Sequence, residues 1–285
     1  VMTCVLGMVV RREREIREFV ETPFYRVLST IGEKGATFEG EWRAVKGSKW
    51  FESFDLYKEN GFKEKEKAEE LIRFLSNSES DASQPLTCQI VSIEKKKEKK
   101  NPPLLFNLAE IQNECSKRFK ISPDETLRII QELYEKKLVT YPRTDARVLS
   151  TAVAKEIHKN LNGLMQYEPA KPYLQVIVKF GSHKGLEKTR YVNDKQITDH
   201  YAIIPTGQGM GALKGLPNLS QKVYDVIVRR FLSIFYPPAV YQKVSIVTKI
   251  KEESFFSSFK VLAEEGYLKV TGVPGRKNDN TDSTE

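Results

Sequence analysis

The stretch Lys95-Lys96-Lys97-Glu98-Lys99-Lys100-Asn101-Pro102-Pro103 separates two textures of sequence. Upstream of it, apolar residues alternate with polar ones in short extended runs; downstream, they recur at helical spacing. Two prolines behind a block of charge mark a boundary, because a proline has no N–H to give to a helix or a sheet ladder. The lysine run itself reads as a solvated linker rather than a specific nucleic-acid contact.

Working back from the boundary, residues 86–93 read as a strand and residues 67–75 as a helix that runs into the polar stretch 76–84. Residues 24–31 alternate at period two, and 37–42 follow after a glycine-containing turn. Working forward, Leu108, Ile111, Cys115 and Phe119 share one helical face. Ser122-Pro123-Asp124-Glu125 then supplies a capping box with proline at the first helical position, and the helix it starts is expected to bury Leu127, Ile130, Leu133 and Tyr134. With Leu138-Val139 extended behind it, this pair of helices resembles a helix-turn-helix with a wing. Residues 152–161 and 221–235 read as further helices, the second ended by Pro237-Pro238. Strand texture returns at 240–250, 255–262 and 266–270. The simplest geometry is a helical domain inserted into a β domain whose two halves meet in one sheet.

The 285 residues are 40% hydrophobic, 29% charged and 10% aromatic, which excludes a disordered chain and promises a core. Cys4, Cys88 and Cys115 lack CxxC or CxxH spacing, which rules out a disulfide framework or a cysteine zinc site and fits a reducing cytoplasm. The longest apolar run, residues 1–10, is half a membrane span and meets Arg11-Arg12-Glu13-Arg14 at once; a soluble cytoplasmic protein without a membrane partner is expected. Apolar residues from Val5 to Val20 keep amphipathic helical spacing without a start signal, and residues 275–285 hold no apolar side chain. The expectation is an internal piece of a longer protein, with a disordered tail. A net charge of +8 attracts polyanions without naming one.

Chemistry is concentrated in Thr140-Tyr141-Pro142-Arg143-Thr144-Asp145. Pro142 biases Tyr141 towards an extended backbone, so a phenol and the Arg143 guanidinium can face the same side. A phenol titrates near pH about 10, so it serves as nucleophile or leaving group only beside positive charge. A guanidinium fork fits phosphate oxygens, and Asp145 could hold that fork. Taken alone, the stretch reads as a turn, with phosphodiester chemistry the sharper alternative. In Thr198-Asp199-His200-Tyr201-Ala202-Ile203-Ile204-Pro205-Thr206, His200 could donate to a phosphate, although a histidine before an apolar run is more often structural. His158 and His183 read as surface residues, and Gly207-Gln208-Gly209-Met210-Gly211, lacking Gly-Lys-Ser/Thr, as a flexible connection.

Tyr141-Pro142-Arg143-Thr144-Asp145 followed by His200-x-Ala202-Ile203-x-Pro205-Thr206 resembles the paired signature of type IA DNA topoisomerases, in particular the topoisomerase III-like branch. The opening Val1-Met2-Thr3 with the charged helix through Arg17, Val223-Tyr224-Asp225-x-Ile227-x-Arg229-Arg230-Phe231, and Pro237-Pro238-Ala239 extend the likeness over residues 1–270. One departure is Tyr201, where topoisomerase III-like sequences often carry His.

The resemblance implies an α+β fold. A β-rich arch domain (23–101 and 237–272) is interrupted by an inserted helical, winged-helix-like domain (102–236) carrying the catalytic tyrosine. Residues 1–22 would be a helix left from the base domain and 273–285 a disordered tail. By position, Tyr141 is the nucleophile that joins the 5′ phosphate of a cut single strand, and Arg143 stabilises phosphate and phenolate. Thr144 and Asp145 would support them, and His200 would contact the DNA backbone. The implied cofactor is Mg²⁺, held in the full-length enzyme by a Glu and an Asp-x-Asp cluster that this sequence lacks before Tyr141, so the fragment alone is expected to be inactive. Its expected partner is single-stranded or underwound duplex DNA, met as a monomer. The competing class is a non-enzymatic winged helix-turn-helix DNA-binding protein. Against it, Pro123-Asp124-Glu125 puts negative charge where a recognition helix reads bases.

Overall fold

The computed structural model describes residues 2–33, 35–76 and 86–273. The chain forms two compact units, Val1–Lys96 with Lys243–Lys260, and Lys97–Gln242 with Val261–Glu285. In chain order the elements are α1 (Met2–Arg17), β1 (Leu28–Glu33), β2 (Ala36–Arg43), β3 (Leu56–Lys58), β4 (Gly61–Phe62), α2 (Lys65–Ser76) and β5 (Gln89–Lys100). Then come α3 (Leu108–Phe119), α4 (Pro123–Glu135), α5 (Thr151–Lys155), α6 (Ile157–Leu164), α7 (Lys171–Phe180), α8 (Met210–Leu213) and α9 (Asn218–Ser233). The last three are β6 (Ala239–Ile250), β7 (Glu253–Glu264) and α10 (Leu268–Thr271).

In the first unit, β1 and β2 make an antiparallel hairpin with Leu28 opposite Glu41, and β2 then pairs antiparallel with β7, Glu41 opposite Phe256. The sheet order is β1-β2-β7-β6-β5, so strands from both sides of the helical stretch share one antiparallel sheet. Period-two alternation turns Ile31, Trp42 and Phe255 into the core, where they meet Trp50, Phe62 and one face of α2 (Ala68, Leu71 and Leu75). Trp42 stacks on Phe62 with ring centroids 4.9 Å apart, and Trp50 meets both rings edge-on. Beside these rings Glu253 is fully buried. Its carboxylate accepts from Trp42 Nε1 (2.7 Å), Ser48 Oγ (2.7 Å) and the Lys49 backbone N–H (2.9 Å), which offsets the desolvation of the charge. The helix α1 forms as its spacing requires and ends on Arg14 and Arg17, suited to the negative end of the helix dipole, yet buries none of its residues.

The second unit packs around α9, whose Val223, Tyr224, Ile227, Phe231 and Leu232 are fully buried. Side-chain caps set the starts of three helices: Asn107 accepts from Glu110 N–H, Ser122 from Glu125 N–H, and Ser150 from Val153 N–H. The capping signal at Ser122-Pro123 therefore places α4, whose Ile130 and Leu133 are buried.

Four expectations need correction. The lysine run is no linker: residues 95–100 continue β5, which lies beside β6 at the sheet edge. The helix expected over 152–161 is broken at Glu156 into α5 and α6, with Glu156 near φ −98° and ψ 5°. Residues 266–270 are no strand. Gly266 takes φ +51°, where a Cβ would lie 2.4 Å from the Pro238 carbonyl oxygen, and the chain turns into α10, which buries Leu268 and Val270. Tyr134, expected in the core, remains 39% exposed. The polar stretch from 77 to 85, and the expected tail from 274 on, lie outside the described residues.

Glu253→Ala should strip the acceptor from three donors at once. An unsatisfied buried polar group costs about 1–3 kcal/mol, so a marked fall in stability is expected. Both tryptophans of the chain lie in this unit, so the urea midpoint followed by tryptophan fluorescence reads it directly. An unchanged midpoint would show that the carboxylate is not what organises the Trp42–Ser48 corner.

Candidate active site

Residues 202–206 form an extended strip held along both sides. Ile203 N–H donates to Phe106 O at 2.8 Å, Ala202 N–H to Val148 O at 3.0 Å, and Thr206 N–H to Leu138 O at 3.0 Å. Isolated bridges pair Phe106 with Ile203 and Val139 with Pro205. Ala202, Ile203 and Ile204 are fully buried, so the apolar run that follows His200 is a core strip and anchors the histidine at its end.

Two threonines flank Tyr141 and clip its loop to that strip. Thr140 Oγ1 donates to Ala202 O (3.0 Å) and accepts from Ile204 N–H (3.0 Å). Thr144 Oγ1 donates to His200 O (2.9 Å) and accepts from Ala146 N–H (3.1 Å). Between them Thr144 N–H bonds Pro142 O at 3.1 Å, a three-residue turn with Arg143 at its apex. Pro142 and Thr144 are buried while Arg143 and Asp145 are exposed and Tyr141 is half-buried, so the phenol and the guanidinium share the outer side.

The clips bring Tyr141 and His200 together with ring centroids 4.3 Å apart and planes tilted by 38°. Tyr134 from the last turn of α4 meets Tyr141 edge-on at 5.5 Å. A pocket of about 370 Å³ opens here, lined by Tyr134, Lys137, Tyr141, His200, Tyr201 and Gln208 among others. Burial pushes the Tyr201 phenol above its ordinary range, so it stays protonated as a neutral wall.

Of the expected group, Tyr141, Thr144 and His200 converge, while Arg143 stands at the turn beside the pocket and outside its lining. Asp145 does not hold the Arg143 fork. No ion pair joins the two side chains, and Asp145 is tied instead through its carbonyl, which accepts from Asn107 Nδ2 at 3.1 Å. Both charged groups face water, where an ion pair is worth little. Lys137 escaped the sequence reading. It follows α4 in a left-handed conformation (φ 62°), a position no periodicity reveals. Tyr134 carries a visible signal, an aromatic at the margin of its helix's apolar face, yet it lines the pocket rather than the core. Residues 207–211 are also no flexible connection: Gly209 takes φ +69°, and a Cβ there would lie 2.1 Å from Lys136 O, so the turn is packed against the end of α4. Gln208 N–H donates to Thr206 Oγ1 at 3.0 Å, which closes that side of the pocket.

Among the described residues no group of three or more His, Cys, Asp or Glu side chains is placed to hold a metal ion. These described residues therefore do not fit the implied Mg²⁺. No helix among them is long and apolar enough to cross a membrane.

A family model described as DNA topoisomerase matches residues 1–285, and the chain belongs to that family, in its type IA class. Among its relatives, DNA topoisomerase 3 of Bacillus subtilis (strain 168) is 31% identical over 288 residues, covering all of this chain and 36% of that protein. DNA topoisomerase 3 of Bacillus licheniformis is 29% identical over 286 residues, with the same two coverages. Full-length topoisomerase I from Thermotoga maritima shares the fold at a TM-score of 0.61 and 21% identity, covering 98% of this chain and 41% of that one. The chain thus spans 36% of the length of these two relatives.

Thr144→Val should release the loop from His200 O while keeping its shape and volume. A loss of about 1 kcal/mol, with Thr144→Ser close to the parent, is expected from one buried hydroxyl. The chain has three histidines, so the His200 ring C–H resonance, shifted by the Tyr141 ring, can be followed by proton NMR. It should move in Thr144→Val and hold in Thr144→Ser; an unmoved resonance in both would show that Thr144 does not position the pair.

Proposed function

We propose that this chain carries the cleavage nucleophile of a type IA DNA topoisomerase and acts by transient single-strand breakage. The Tyr141 phenol gives its proton to solvent and its oxygen attacks a backbone phosphorus, forming the bond to the 5′ phosphate while the bond to the 3′ oxygen breaks and that oxygen takes a proton from solvent. Another strand passes the gap, and the freed 3′ hydroxyl attacks the phosphotyrosine, restoring the backbone and the phenol. Relaxation and decatenation are the outcomes in the full-length enzyme.

The observation that carries this reading is the Tyr141–His200 ring contact at 4.3 Å, beside an exposed arginine two residues on. A phenol with an ordinary pKa of about 10 needs cations nearby to act as nucleophile and leaving group. Arg143 meets the phosphate oxygens with its planar fork, and Lys137 adds a point charge from the pocket wall. His200 donates to the backbone next to the scissile phosphate. Thr144 positions the loop, and Asp145 supports it through its main chain.

In this reading the first unit serves as the arch, and α3, α4 and the extended residues behind them form the winged-helix-like part of the tyrosine domain. Mg²⁺ belongs to the full-length enzyme rather than to these residues, and no step above is routed through it. The chain by itself is then inactive, a cytoplasmic monomer that engages single-stranded or underwound DNA. The acidic first turn of α4 (Asp124 and Glu125) gives the repressor-like alternative no support.

Three substitutions in the full-length enzyme test the roles. Tyr141→Phe should abolish the covalent DNA adduct at nearly unchanged DNA affinity; adducts surviving in denaturing gels would end the nucleophile assignment. Arg143→Ala should slow cleavage by about 10²–10³, the usual loss for one transition-state donor, and a change below about threefold would contradict its role. His200→Ala should weaken single-strand binding or cleavage, whereas full activity would make the residue purely structural.

A further inference from the structure

The lysine run is an ordered strand, and its pleat sorts its charges. Residues 94, 96, 98 and 100 of β5 face one way, and residues 95, 97 and 99 the other. On the first face Lys96 Nζ pairs with Glu94 at 2.8 Å, and Glu98 is also engaged, so acids and bases alternate. On the second face Lys95, Lys97 and Lys99 follow one another with no acid between them, and none makes an ion pair among the described residues. Every residue of β5 is exposed, at the edge of the sheet. A purely solvated strand has no reason to neutralise one face and leave the other as three uncompensated ammonium groups.

We propose that the Lys95–Lys97–Lys99 face is a docking row for the sugar-phosphate backbone of duplex DNA. Alternate residues of a strand lie about 6.7 Å apart, so the row spans about 13 Å, the rise of roughly four nucleotides along one strand of the duplex. Single strands are usually gripped by stacking bases on aromatic rings, and β5 (Gln-Ile-Val-Ser-Ile-Glu-Lys-Lys-Lys-Glu-Lys-Lys) has none. The row therefore contributes charge without base readout, which suits a duplex of any sequence. This rests on the topoisomerase reading and adds a second DNA contact, separate from the Tyr141 pocket.

Two double variants of the chain make the same change in net charge. Lys95→Gln with Lys97→Gln alters the proposed row; Lys96→Gln with Lys100→Gln alters the opposite face. Both replace exposed side chains, and circular dichroism confirms that each folds. Fluorescence anisotropy across a salt series, with labelled duplex and single-stranded oligonucleotides, gives the slope of log K against log salt. The first variant should lower the duplex slope by about 2, since each neutralised phosphate contributes about 0.9, and the second should leave it nearly as in the parent. Equal effects of the two variants would reduce the row to general charge and overturn the inference, leaving Tyr141's role intact. A face-specific loss confined to single strands, or displacement of duplex by a polyglutamate peptide at lower concentration than by duplex itself, would also overturn it. A parent chain that binds neither DNA would overturn both this inference and the proposed function.

Discussion

Hydrogen bonds from two threonine hydroxyls hold the candidate site together. Thr140 and Thr144 stand on either side of Tyr141, and both donate to carbonyls of the segment that carries His200. The strip from 202 to 205 is buried, so its carbonyls and N–H groups have no water to turn to and need partners within the chain. Satisfying them along Phe106 on one side and Leu138–Thr140 on the other sets the strip's register, and the register sets where His200 ends. The aromatic pair is thus a consequence of main-chain accounting in the core beneath it.

The division of labour around the pocket follows from exposure. The groups that fix geometry are buried or uncharged: the two threonines, Pro142, and the packed turn at Gly209. The two cations beside the pocket, Arg143 and Lys137, make no ion pair among the described residues. A cation already committed to a carboxylate would have to lose that partner before binding an anion. Keeping Asp145 engaged through its main chain, rather than through Arg143, leaves the guanidinium fork open.

The β unit solves a different problem, that of joining strands far apart in sequence. Glu253, from the first residue of β7, accepts from Trp42 and from the loop at Ser48 and Lys49. A buried carboxylate tolerates one arrangement of donors, whereas an apolar side chain would tolerate many, so it selects a single docking of β7 on β2. The stacked and edge-on rings of Trp42, Trp50 and Phe62 then fill the space around it.

The amino-acid sequence by itself determined what depends on near neighbours. The cap at Ser122-Pro123, the periodicity of α9, and the alternation of β2 and β7 were all legible, because capping and period are local. Only the tertiary structure decided the rest. Lys95–Lys100 looked like a linker until β6 lay beside it, since a sheet edge can order a charged strand that has no apolar face of its own. Residues 266–270 have strand-like composition, but the turn at Gly266 and packing against α9 make Leu268–Thr271 helical. Lys137 and Gln208 became pocket residues because their turns fold against each other around Thr206, and the open Arg143 fork depends on where Asn107 holds Asp145. In each case the deciding partner lies far along the chain, and local preference is too weak to outweigh the burial and hydrogen bonds it supplies.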